Sequence, residues 1–344
     1  MIEKKDIYLY LMDHSGTKAI GKEQQPIVRR IAAQSATYLR VLDFTDVEHS
    51  MRVNPIQHRY IPSMQHALAV AENLIASAED YREIMPNSGS DNPVRQYAVN
   101  FLAACIFFFV NYKRMPYDYE TKEELMPGYC VDKETGHKRL TGEVFDENGR
   151  KLNAYEYYWL GKYSDMPHIL AFLQQDYCTM FEILETDSEV FPLIAPLYTQ
   201  YRNKEFYYLE QVLGTLRCIL SMMCTKEIFW ILHKSGDDIL MDRYTHNYIA
   251  ICQSQESYRL SQQLCAALVL RKIPRHSEPM DSCNLRWQID CFRGCNFKDN
   301  PSSVNCCDEA VKEQILYDNY YSVMEDIHDR LKEEIFYQIK KDQI

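Results

Sequence analysis

Glycine and proline are scarce, at 11 and 13 residues in a chain of 344. That excludes a collagen-like repeat and a linker-dominated chain. There is no internal repeat and no low-complexity tract. Basic residues are outnumbered, 38 Lys and Arg against 49 Asp and Glu, for a net charge of −11. Affinity for a phosphate backbone needs clustered Lys and Arg, so a stand-alone DNA-coating protein is disfavoured. Arg29-Arg30 is a pair on a solvated helix face, and no linear basic stripe with interleaved aromatics is readable. The first residues, Met-Ile-Glu-Lys-Lys-Asp, hold no apolar signal-peptide core, which points to a reducing, cytoplasmic setting. The longest apolar run is Phe101–Val110. As helix it reaches only ~15 Å, about half a hydrocarbon core, and reads as a buried core helix rather than a membrane span.

What is present fits a soluble globular chain. Hydrophobic residues make up 46% and charged residues 25%. Tyr is abundant at 26, and Cys is frequent at 12. In a reducing compartment the default Cys is a buried thiol. Cys105, Cys178, Cys218, Cys224, Cys252 and Cys265 lie within apolar segments and are expected in the core, while Cys130 stands alone in a polar loop.

Residues 6–13 and 38–44 read as strands and 24–36 as a helix, a βαβ-like opening with parallel strands. Helical spacing follows over 63–85, 94–113, 165–185 and 205–232, with Pro192 and Pro196 breaking the chain between the last two. Residues 86–93 are a turn-rich loop. The polar stretch 114–154 carries short apolar pieces that suggest a small hairpin or ordered insertion. Residues 246–252 read as a strand and 256–272 as a helix. The divisions are therefore an α/β segment (1–61), an all-α domain with the 114–154 insertion (62–245), a β-α unit (246–275), a Cys-rich irregular segment (276–307) and a C-terminal helix (308–344). The last helix has a stripe from Val311 and Ile315 to Ile335 and Ile339, stepping mainly by four, and is expected to wrap across a core or a partner.

One stretch could cradle phosphate. Gly16-Thr17-Lys18-Ala19-Ile20-Gly21-Lys22 follows a predicted strand and precedes a predicted helix. A phosphate loop needs that setting because successive N–H groups and a helix N-terminus surround the anion. Glu23 occupies the position where a hydroxyl should bind Mg²⁺. Gly16, Gly21 and Lys22 are thus candidates for nucleotide binding, and a chance polar turn explains the same residues. Hydrolysis also needs an apolar strand ending in Asp-Glu to hold Mg²⁺, and Asp43 is the nearest substitute. Cys283, Cys291, Cys295, Cys306 and Cys307, with His276 upstream, are the candidate metal group. Only Cys291/Cys295 has a zinc-like spacing, so zinc is not expected. No nucleophile triad is readable. His168 follows Met166-Pro167 at a helix start, for which Asp165 is a natural N-cap.

Several stretches together resemble one family. They are Arg52-Val53-Asn54-Pro55, Arg59-Tyr60-Ile61, Phe101–Phe109, the block from Tyr158-Trp159-Leu160-Gly161-Lys162-Tyr163-Ser164-Asp165 to Leu173, Phe181–Leu184, Leu193–Pro196 and Leu209–Arg217. They look like the TraG-type coupling proteins of conjugative type IV secretion in Bacteroidetes-like mobile elements. The resemblance covers about residues 38–272 and the final helix, and the 158–217 block is its specific part. It implies a RecA-like ATPase carrying an inserted all-α domain, with residues 62–240 matching the insertion and 246–272 the strand and helix after it. The family's membrane helices, its Asp-Glu strand and most of its motor core have no counterpart in this sequence.

The resulting expectation is a mainly α chain with a small α/β part, a helical domain on a partial RecA-like parallel-sheet platform. It would act by protein recognition, without ATP hydrolysis and without a required cofactor. Its partners would be relaxosome or secretion-channel proteins or a full-length coupling protein, which would bring it to the inner face of the membrane and to DNA only indirectly. The loop 114–154, the acids Glu185, Asp187 and Glu189, and the C-terminal helix are the candidate docking surfaces. A nucleotide-binding switch at Gly16–Lys22, an ATPase and a mobile-element remnant without function are the alternatives.

Overall fold

The computed structural model describes residues 5–13, 16–19, 39–44, 50, 52–79, 93–118, 121, 123–131, 133, 138–154, 156–232, 247–254 and 259–270. The strands are β1 (Lys5–Asp13), β2 (Gly16–Ala19), β3 (Leu39–Asp43), β4 (Met115–Asp118), β5 (Met126–Val131), β6 (Lys138–Phe145), β7 (Tyr157–Leu160) and β8 (Asn247–Ser254). The helices are α1 (Met64–Glu79), α2 (Pro93–Asn111), α3 (Met166–Leu173), α4 (Tyr177–Leu184), α5 (Phe191–Arg202), α6 (Phe206–Leu209), α7 (Thr215–Ser221), α8 (Lys226–Leu232) and α9 (Arg259–Leu270). A π turn over Glu210–Gly214 joins α6 to α7. The described part is mainly helical with a small sheet part.

Helix α2 organises the molecule. Of its 19 residues, those from Phe101 to Val110 are all buried. A helix that is apolar all round must be covered on every side. Helix α2 is long and apolar enough to cross a membrane, but 72% of its apolar window is buried within this fold. Phe101 meets Phe181 of α4 edge to face at 5.9 Å, and Phe109 meets Phe172 of α3 at 5.1 Å. Arg95 in its first turn is 7% exposed and forks onto Glu72 of α1 at 3.0 and 2.5 Å.

Local chemistry sets the shorter helices. Asp165 caps α3, accepting from the His168 N–H at 2.9 Å, with a proline in the first turn. Asp176 caps α4 by accepting from the Thr179 N–H and hydroxyl. Arg217 of α7 donates to the carbonyls of Leu173 and Gln175, at 2.7 and 2.5 Å, and so closes the end of α3. Pro192 and Pro196 do not break the chain as predicted; both lie within α5. Pro192 falls in the first turn, where the N–H would be unbonded anyway, and Pro196 forfeits a single intrahelical bond.

The main sheet has the order β2-β1-β8-β3. Strand β8 runs antiparallel to β1 and parallel to β3. This corrects the predicted βαβ opening, since β1 and β3 are not neighbours and point in opposite directions. The described residues of segment 114–154 include three strands: β4 pairs with β7, which follows the segment, and β5 with β6, both antiparallel. One hydrophobic core runs through both parts, taking Leu42, Phe44 and Ile251 from the sheet, Leu264, Cys265 and Leu268 from α9, and the α2 residues.

Candidate functional site

The two sequence blocks with the most distinctive composition meet in space. The Asn54 side-chain amide donates to the Ser164 carbonyl at 2.7 Å, and its Oδ1 accepts from the Ile56 N–H at 3.0 Å. The Ser164 hydroxyl donates in turn to the Ile56 carbonyl. Asn54 and Ser164 are 1% and 0% exposed, so this is an internal clasp. Arg52 extends it to α8, donating to the Trp230 carbonyl at 3.1 Å with its guanidinium over the Trp230 ring. Gly161 makes the approach possible: a Cβ there would collide with the backbone carbonyls of Phe109 and Val110 at the end of α2.

Beside this clasp, where α2 runs into β4, lies a cleft of about 1120 Å³. Pro62, Phe107 and Met115 give it apolar lining. Lys113, Arg114 and Lys162 bring cations, His58 a neutral imidazole, and Glu124, Asp187 and Glu189 bring carboxylates. Lys113 holds a left-handed backbone, φ 43°, at the turn out of α2. Arg114 lies 2.8 Å from the His58 ring nitrogens and 5.3 Å from the Trp159 ring centre. Burial, then the Arg114 charge, pushes His58 below the ordinary histidine range, and burial also lowers Arg114. Burial and the neighbouring Glu124 charge raise Tyr117.

Aromatic rings interleave with these cations. Lys113 and Lys162 place their ammonium groups 5.7 and 5.5 Å from the Tyr112 and Tyr163 ring centres. Tyr112 is stacked between Phe108 at 5.3 Å and Tyr163 at 6.1 Å. Tyr163 also meets the His168 ring, whose Nδ1 is 2.6 Å from Asp165 Oδ1. Arg59 lies over both Tyr60 and Tyr158. The linear reading found no basic stripe with interleaved aromatics; the fold assembles one from 58–60, 112–117 and 157–163. Pairings between residues some 50 to 100 positions apart leave no mark on a local scan. The nearest signal in the sequence was the density of Tyr and Trp around Tyr158–Tyr163.

Two of the three acidic candidates reach the cleft. Asp187 and Glu189 line it, and Asp187 Oδ1 also accepts from the Glu189 and Val190 N–H groups ahead of α5. Glu185 instead forms the exposed C-terminus of α4 beside Tyr198. Gly16 lies in β2, paired with Asp13 of β1. Successive N–H groups of a strand point to alternate sides, so Gly16–Ala19 does not form the converging cradle that a phosphate loop requires. Gly21, Lys22, Cys283, Cys291, Cys295, Cys306, Cys307 and the C-terminal helix lie outside the described residues. Asp43, the substitute Mg²⁺ ligand, is fully buried at the end of β3. Among the described residues no cluster of three or more His, Cys, Asp or Glu could hold a metal. Cys105, Cys224 and Cys265 are buried as expected, but Cys178 and Cys218 are exposed, on the outer faces of α4 and α7.

The arrangement can bind. It offers both signs of charge around an apolar floor. Comparison of the chain with protein-family profiles, with characterised proteins and with solved structures gives no match.

Proposed function

We propose that this chain is a coupling-protein-like factor of conjugative DNA transfer, acting by protein recognition through its helical part and without ATP hydrolysis. The reading is supported by one observation above others. The blocks that carry the resemblance to TraG-type coupling proteins, Arg52–Ile61 and Tyr158–Leu173, are held to each other by the Asn54–Ser164–Ile56 clasp. Residues dispersed over more than a hundred positions thus serve one local structure. The cleft beside the clasp offers a recognition surface that includes two of the predicted acidic determinants.

The partners would be relaxosome proteins, the secretion channel or a full-length coupling protein. Purified full-length chain, immobilised and challenged with the purified relaxase, accessory proteins and coupling protein of its own element, should retain at least one. Retention of none overturns the reading. Incubation with ATP and Mg²⁺ should release no phosphate above the level of a Lys22→Ala variant. Lys22-dependent release would restore the ATPase alternative.

A further inference from the structure

The cleft is specific enough to name the chemistry of its occupant. We infer that it docks an extended protein segment of mixed charge. A carboxylate of that segment sits among Lys113, Arg114 and Lys162, an apolar side chain rests on Phe107, Pro62 and Met115, and a Lys or Arg lies beside Asp187 and Glu189. The inference deepens the protein-recognition reading above and rests on it.

Four observations carry the argument. The two signs come from different segments: the cations from the end of α2 and the β7–α3 link, the acids Asp187 and Glu189 from the α4–α5 link. A ligand of one sign would therefore be attracted to one part and repelled from the other, whereas a dipolar segment is accepted by both. The volume, about 1120 Å³, exceeds the ~300–1,000 Å³ of most small-molecule sites and has room for several residues. The rings next to the cations are engaged within the fold: Lys113, Arg114 and Lys162 lie near Tyr112, Trp159 and Tyr163, and Tyr112 stacks with Phe108 and Tyr163. Asp187, Glu189 and Glu124 would repel the phosphate backbone of a single-stranded nucleic acid. Finally, β5, which reaches the cleft through Tyr129, carries exposed apolar side chains. Tyr129 lines the cleft and is 53% exposed, with Met126 and Val131 at 61% and 57% on the same strand. Such exposed apolar side chains next to a groove mark contact surface.

The test uses the full chain and four fluorescein-labelled probes in anisotropy titrations. Three are hexapeptides with a central Leu-Phe: one flanked by Asp-Asp and Lys-Lys, one by four Asp, one by four Lys. The fourth is a short oligo-dT. The mixed peptide should bind at least about fivefold tighter than the others, and more weakly as salt rises. Lys113→Glu/Lys162→Glu should transfer the preference to the all-Lys peptide. Ser188→Lys/Glu189→Lys, which keeps the Asp187 carboxylate that accepts from the 189 and 190 N–H groups, should transfer it to the all-Asp peptide. If either pair fails to fold by circular dichroism, Lys162→Gln and Glu189→Gln should each reduce the mixed peptide's advantage. Preference for oligo-dT, an unchanged ranking in the variants, or no peptide binding below about 1 mM overturns the inference. Peptide binding is measured without any relaxosome protein, so its loss and a failed partner retention are separate results.

Discussion

Gly161 and Gly214 lie in the same resemblance-bearing half of the chain and face opposite demands. A methyl group on Gly161 would strike the carbonyls that end α2, and backbone cannot yield as a side chain does. Gly161→Ala should destabilise the protein by about 2 kcal/mol, read as a lower midpoint in urea. Gly214 sits in the π turn, with only the tip of Glu210 at 3.4 Å from such a methyl. Gly214→Ala should be neutral or stabilising by up to about 1 kcal/mol. Asn54→Ala would strip the Ser164 carbonyl and the Ile56 N–H of buried partners, and should cost about 2–3 kcal/mol. His58 supplies a pH signature. Its folded pKa lies below the unfolded value of about 6.5, so the unfolded chain binds the proton first as pH falls. Stability should decline from about pH 7 through 6.5 until the folded pKa is passed. His58→Gln should flatten that part of the urea midpoint–pH curve; an unchanged slope would mean that burial of this ring is not felt.

At the scale of elements, helices were legible and pairings were not. Helix α2 followed from its apolar run, and the Asp165 cap from a carboxylate before Met166-Pro167, because both signals are local. The insertion's strands were only foreshadowed, since short half-exposed strands such as β5 and β6 carry weak alternation. Pro192 and Pro196 misled because a proline's cost depends on its place in the helix, which composition does not reveal. The cleft was missed for the same kind of reason: Lys113, Arg114 and Lys162 are ordinary surface residues until β4 pairs with β7 and brings them together. The ring contacts around α2 give a direct check of its central role. Phe109→Ala removes a fully buried ring that meets both Phe172 and Phe108, and should cost about 3–5 kcal/mol. Tyr207→Ala, at a position 79% exposed, should change the midpoint by less than about 0.5 kcal/mol.

For the whole molecule, a boundary drawn after residue 245 in the sequence divides what the fold joins. Helix α9 packs against α1, and Leu264, Cys265 and Leu268 belong to the same core as Leu74 and Ile75. A chain ending at residue 245 should therefore melt well below the full-length protein and bind a hydrophobic dye at temperatures where the full chain does not. The β1–β8 pairing carries a consequence for biogenesis. Lys5 is matched with Ser254, so β1 has its longest neighbour 249 residues further along the chain. At ~5–20 residues per second, β1 waits on the order of 10–50 s for that neighbour to be synthesised. During translation its edge is open to any other strand, and the yield of soluble product should depend on how well chaperones shield nascent β1 until β8 emerges.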